Sequence, residues 1–332
     1  MMFFNRTTHR RALRLSIVSL ALVIVCVGIA GGETAASAKK KVTVPVPSQI
    51  VSPPTLDELK NTLITGIDTT PTKLVNGVFE GPPYVPGGAS RQRIELLDSR
   101  PVTGDLNGDG TYETIVFLSE DNGGTGACLY MAVMGRAKDK IVTIATVRLG
   151  DRLGVRSIFI DKGRIFLDLL QYGAKDAACC PSELVTRTWS LIGTGLVERV
   201  SKKRPGTLTL ATLSGSGWIF RGFDDSKQAT PGSADTVLVF EKDRISGSAG
   251  CNRYLGYATA TKIPGELTLK ASKTTNSECE VKVMKDEERY LQALRQVVRF
   301  GFYLGDLTLS WKNEDGRLGI MRFAPRKAAL AQ

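Results

Sequence analysis

Histidine is nearly absent: the 332 residues contain one, His9, close to the amino terminus. If the leader that holds it is removed, the rest of the chain has none, which excludes serine and cysteine nucleophiles activated by imidazole. The usual neutral-pH general base is lost with it, and so are His-containing zinc sites. Any catalysis would have to run on carboxylates, Lys, Tyr or Cys. Aromatic residues are sparse too, at 7%. The formal net charge is +11, yet beyond the leader basic residues gather only at 39–41 and 202–204. Neither run is interleaved with aromatics or set in a nucleic-acid motif, so DNA or RNA is not expected as a partner. Weak attraction to anionic envelope polymers suits the charge better. There is no Cys-x-x-Cys pair, which argues against zinc at Cys128, Cys179 and Cys180. No internal repeat suggests a solenoid or propeller.

What is present begins with an export signal. Arg6, Arg10, Arg11 and Arg14 precede an apolar run over 15–30, and Ala36-Ser37-Ala38 offers small residues for cleavage. The run has about 16 residues, short of the roughly 20 that span a bilayer. Residues 1–38 therefore read as a signal peptide, with the mature chain starting near Lys39. The membrane is a partner only if the leader stays uncleaved as an anchor. Cys26 follows Val25, where lipoprotein processing wants a small residue. The expected location is periplasmic, cell-surface or extracellular, where disulfides are permitted. Removing Cys26 leaves an odd number of cysteines, so one thiol has no partner within a monomer.

Residues 39–54, rich in Val, Pro and Ser, read as an extended tether. Thr55 can cap a short helix in which Leu56, Leu59 and Leu63 share a face. Strands are expected over 93–98, 112–118, 128–134, 140–148, 155–160, 164–170 and 184–191, separated by turn signals such as Asp121-Asn122-Gly123-Gly124. Many short strands with one helix before them argue an α+β domain, mainly antiparallel sheet, over 55–199. A linker at 200–212 leads to a second α+β domain over 213–325, and 326–332 form a tail. In the second domain Trp218-Ile219-Phe220 and residues 236–240 read as strands. A helix over 281–298 follows, with Met284, Leu291, Leu294 and Val298 on one face and Glu287, Glu288 and Arg289 outside. A hairpin turning over 313–316 closes the domain. Trp189, Trp218 and Trp311 lie in alternating apolar strands and read as packing groups rather than sugar platforms.

One loop points to a metal. Asp105, Asn107, Asp109 and Glu113 place side-chain oxygens at positions 1, 3, 5 and 9, Thr111 adds a carbonyl, and Gly110 sits at position 6. Position 12 is Val116, and strand follows instead of helix, so this is not an EF-hand. The loop resembles the calcium loops of FG-GAP and related extracellular repeats, present in one copy. The competing reading is a turn in which Asp and Asn oxygens hold backbone amides while Gly108 and Gly110 take positive φ. Residues 104–180 also resemble an uncharacterised exported bacterial region that combines such a loop with a Gly-Gly-Thr-Gly turn (123–126), a Leu-Gly-Asp-Arg motif (149–152) and a Cys-Cys-Pro motif (179–181). That resemblance implies no activity.

The most informative stretch is Gly250-Cys251-Asn252-Arg253-Tyr254, preceded by Ile245-Ser246-Gly247-Ser248-Ala249. With Gly217-Trp218, residues 274–279, the helix, Leu307-Thr308-Leu309, Gly316 and Phe323, it makes the region 218–323 resemble the META domain, the fold of the HslJ-like heat-inducible envelope proteins. The resemblance implies a small barrel-like α+β roll. It also favours a disulfide between Cys251 and Cys279, both inside the META-like part, which leaves one of Cys179 and Cys180 to reach Cys128. Asn252 and Arg253 are candidate ligand contacts, although such residues more often satisfy turn carbonyls. Glu278, Glu280, Asp286, Glu287 and Glu288 offer carboxylates for a glycosidase-like pair, against which stands a solvated face near a helix start. The expectation is an exported, non-catalytic envelope protein that serves stress tolerance or envelope assembly by binding an envelope protein or polymer. The alternatives are a carboxylate-based hydrolase of envelope polymers and an inhibitor or adhesion module.

Overall fold

The computed structural model describes residues 52–124, 126–138, 140–177, 180–199, 206–224, 229–231, 235–313 and 315–326. The leader, most of the tether, Thr125, Cys179 and residues 327–332 lie outside the described residues. Strand dominates, and every pairing between the named strands is antiparallel. A six-stranded sheet runs in the order Val78–Pro83, Arg91–Leu96, Glu113–Asp121, Ala127–Ala137 and Lys140–Asp151, with Val102–Gly104 also paired to Glu113–Asp121. A five-stranded sheet orders Gly195–Arg199, Glu183–Ile192, Arg164–Gln171 and Gly154–Asp161, and Gly206–Thr207 joins it on Glu183–Ile192.

The sequence of Glu113–Asp121 explains how these two sheets stack. Ile115 and Phe117 enter one apolar cluster with Ile165, Leu167, Leu169 and Trp189 of the five-stranded sheet. Val116 and Leu118 enter another with Leu59, Ile64 and Leu74. Successive side chains of a strand point to opposite faces, so a strand apolar on both faces must be an inner layer. The six-stranded sheet thus lies between the five-stranded sheet and a cover made by the helix Leu56–Leu59 and the strands Leu63–Ile64 and Thr72–Lys73. Thr55 caps that helix through a reciprocal capping box with Glu58. The helix has one turn only, and Leu63, expected on its face, is an exposed strand residue paired with Lys73.

The third sheet has nine strands. Its main path is Leu267–Lys273, Arg253–Ala260, Arg244–Ala249, Thr236–Glu241, Ser216–Asp224, Leu318–Pro325, Asp306–Lys312 and Val297–Tyr303. It curls into a half-barrel. At one end its two edges meet: the Phe300 N–H donates to Gly265 O at 2.8 Å, and Glu266 bridges to Arg299. The helix Val281–Arg295 connects these edges and fills the curl with Tyr290, Leu291, Ala293 and Leu294. It stops at Arg295 because Val297 is needed as a strand residue opposite Trp311. Met284 and Val298, expected in its apolar stripe, are partly exposed.

The segment after residue 205 is bound to what precedes it. Leu208 N–H donates to Ser182 O, and Gly305 N–H to Val155 O. Gly154 lies so close to the curled sheet that a Cβ there would sit 2.9 Å from Phe302 O. Arg100 pairs with Asp306 at 2.7 Å, and Leu170 joins the core of the curled sheet.

Candidate functional site

The stretch 250–254 forms a clasp between two strands and the helix. Cys251 and Cys279 are joined, with Cα atoms 6.1 Å apart and a sequence separation of 28. Closing a loop of that length removes unfolded-state entropy equivalent to about 3.6 kcal/mol. Beside the disulfide, Asn252 is buried and its amide is fully engaged. Its Oδ1 accepts from Ser277 N–H at 2.7 Å and from Thr275 Oγ1 at 2.9 Å, while Nδ2 donates to Ser277 O and to Glu287 Oε1. Asn252 N–H donates to Glu287 Oε2 at 2.6 Å, and Lys273 Nζ meets Glu287 Oε1 at 2.5 Å.

Glu287 is therefore the centre of the clasp, with a side chain 0% exposed. This corrects its expected place on the outer face of the helix. The position was readable: Glu287 stands three residues before Tyr290 and four before Leu291, inside the inward stripe. Burial pushes its pKa up, but Lys273 and the Asn252 donors outweigh that, so the carboxyl lies below its ordinary value. Arg253 uses its backbone on Thr275 Oγ1 and Thr274 N–H, and its guanidinium has no partner among the described residues. Tyr254 is buried, with its hydroxyl on Val237 O and 2.9 Å from Tyr290 Oη. Burial raises the pKa of both phenols. Apart from the Arg253 guanidinium, the clasp is chemically a set of satisfied groups.

The loop 105–113 is an array of side chains on backbone amides. Asp105 accepts from Gly108 N–H at 2.6 Å and Gly110 N–H at 3.1 Å, Asn107 Oδ1 from Asp109 N–H, and Asp109 Oδ1 from both Thr111 N–H and Thr111 Oγ1. Gly108 and Gly110 take φ of 80° and 84°. Glu113 is buried and accepts from Leu106 N–H at 2.8 Å. Burial raises its pKa, and the charges of Asp109 and Asp105 raise it further. Asp109 is lowered by its bonds to Thr111 and Asn107. Among the described residues no three His, Cys, Asp or Glu groups converge to hold a metal.

The expected bridge to Cys128 is not formed: Cys128 carries a free thiol, while Cys180 is in a disulfide. Strand parity gives the reason. Leu129, Met131 and Val133 face the five-stranded sheet, so Cys128 points to the opposite face, away from the sheet whose strands flank Cys180. There its Sγ accepts from Arg148 Nη2 at 2.8 Å. Nearby, Tyr130 Oη donates to Glu120 at 2.8 Å, and burial with that bond pushes the phenol up to about 12.

Three clefts among the described residues are lined by arginine and by no carboxylate. The first, about 730 Å³, opens beside Trp218, Phe302 and Val239 and carries Arg156 and Arg326. The second, about 590 Å³, shares Val239 and Arg326 and adds Arg253, Ser246 and Ser248. The third, about 200 Å³, brings Arg152 of the Leu-Gly-Asp-Arg motif and Pro181 of the Cys-Cys-Pro motif against Arg299 and Thr308. Sequence reasoning did not reach Arg326 because nothing local marks it; its setting comes from Gly217 on the neighbouring strand, whose carbonyl takes the Arg326 N–H at 2.8 Å. Glu278, Glu280, Asp286 and Glu288 are exposed and line none of these clefts.

Residues 206–323 match the family model of the META domain. An NMR structure of a protein from Burkholderia xenovorans is similar at 21% identity, with 39% of this chain and 97% of that one covered and a TM-score of 0.29. No curated protein matches the sequence.

Proposed function

We propose that this chain, which carries a META domain at residues 206–323, is an exported, non-catalytic protein of the cell envelope that binds an anionic envelope component. The META match is consistent with the HslJ-like family, and the leader-like residues 1–38 support export. The observation that carries the reading is the lining of the clefts: arginines and hydroxyls, with no carboxylate. A hydrolase of the alternative kind needs two carboxylates facing one cleft, about 5 to 9 Å apart. Glu287, the most environment-shaped of the helix carboxylates, is held by Lys273 and Asn252. The test uses the purified mature chain with polyphosphate, neutral dextran and a panel of ester, amide and glycoside substrates. Saturable, salt-sensitive retention of polyphosphate without turnover is the expected result; turnover of any member of the panel overturns the reading. A role in stress tolerance or assembly follows if cells lacking the gene lose viability under heat or envelope damage.

A second reading concerns the loop 105–113, where the charges of Asp109 and Asp105 add to burial in raising the cost of charge on Glu113. Calcium would relieve that repulsion, held by Asp105, Asn107, Asp109, the Thr111 carbonyl and Glu113 once the hydrogen bonds from the backbone amides to those carboxylates give way. The expected outcome is a rise in melting temperature on adding calcium that Asp109→Ala abolishes. No rise in the wild-type chain removes calcium from the account.

A further inference from the structure

The cleft of about 730 Å³ falls within the usual range of small-molecule sites, roughly 300 to 1,000 Å³, and its two kinds of wall suggest what it holds. One wall is apolar: Trp218 and Phe302 lie with ring centroids 6.3 Å apart, flanked by Val239 and Pro325. The polar atom of Trp218 is already engaged, since its Nε1 donates to Ser216 Oγ at 2.7 Å. The other wall is cationic, but its two arginines differ. Arg156 meets Asp168 at 3.0 Å, so its charge is largely offset. Arg326 is exposed, its side chain has no partner among the described residues, and its stem lies 3.5 Å from where a Cβ on Gly217 would be. It also lies between this cleft and the neighbouring one that Arg253 lines. One guanidinium unpaired among the described residues, at the edge of an apolar slot, fits a single anionic head on an apolar body. A charged polymer would instead need a track of cations.

The geometry points to binding of a single-chain anionic amphiphile in this cleft, with its chain against Trp218, Val239, Phe302 and Pro325 and its carboxylate or phosphate head on Arg326. The inference rests on the reading of the chain as a binder of an anionic envelope component, and it names the class of that component. A guanidinium holds either head through paired N–H donors, and burial of the chain supplies the rest of the affinity.

The test is a titration of the full chain, followed by tryptophan fluorescence, with dodecanoate, dodecyl phosphate, dodecanol and inorganic phosphate. Both anionic amphiphiles should bind saturably and at least about tenfold more tightly than dodecanol, a difference of about 1.4 kcal/mol, and inorganic phosphate should not compete. Arg326→Glu should remove that preference while leaving dodecanol binding and the melting temperature unchanged. Unchanged anion binding in Arg326→Glu, or displacement by inorganic phosphate, overturns the inference. So does a large gain in dodecanoate affinity in a chain ending at Arg326, which would make residues 327–332 the occupant. If the amphiphiles fail while polyphosphate is still retained, this inference falls and the broader reading stands.

Discussion

Glu287 shows how one side chain can turn a family signature into a physical structure. Its two oxygens receive the Asn252 N–H, the Asn252 amide and the Lys273 ammonium, joining helix, turn and edge strand. Folding lowers its pKa, so the stability it contributes is fully present above the unfolded carboxyl value, about 4.3. That stability is lost as pH falls through the lower folded value. Glu287→Gln should therefore cost about 1 to 3 kcal/mol at pH 7, and the gap to the wild-type chain should narrow as the pH is lowered below about 4. Thermal melts across that range check this, and a gap independent of pH would show that the charge contributes nothing. The importance of residues 250–254 was legible because Gly, Cys and Asn mark a constrained turn. The partner was not, because a glutamate in a helix reads as solvated unless its place in the apolar stripe is given more weight than its charge.

Among elements, the strand Arg244–Ala249 is the most tightly specified. Ile245 and Ala249 face the core, and Gly247 between them leaves room for the neighbouring strand and for Tyr254, whose hydroxyl reaches Val237 O at 2.9 Å. A Cβ on Gly247 would lie 1.8 Å from Val237 O and 2.7 Å from Tyr254 Oη. Gly247→Ala should then cost about 3 kcal/mol or more, above the usual range for overpacking. Denaturant unfolding decides it, and a change within about 0.5 kcal/mol, typical of a surface site, would contradict the packing described here. Strands with clean alternation, such as Arg164–Gln171 and Glu183–Ile192, were readable within a residue or two. Val297–Tyr303 was not, because Val297 and Val298 continue the helical spacing while tertiary pairing with Asp306–Lys312 takes them into the sheet. The same limit applies to Cys128: its sequence offers a partner at Cys180, and only the parity of the strand rules that partner out.

At the scale of the whole molecule, a layered pair of sheets is joined to a curled sheet with a helix inside it, and arginine-lined clefts lie on and beside the curled sheet. The α+β, strand-rich character and the META-like region near the carboxyl end were legible from turn spacing and motif order. The clefts were not, since Arg156 and Arg326 lie 170 residues apart and meet only in the folded chain. The proposed function requires the two clefts that share Arg326 to select negative charge. The most direct measurement of that selection is the ratio of dissociation constants for two single-chain lipids that share an acyl chain, lysophosphatidylglycerol and lysophosphatidylcholine, below their micellar concentrations. The anionic lipid should bind at least about tenfold more tightly, a difference of about 1.4 kcal/mol, with the preference weakening as salt screens the arginines. Equal affinity for the two lipids, or a preference for the zwitterionic one, would contradict it.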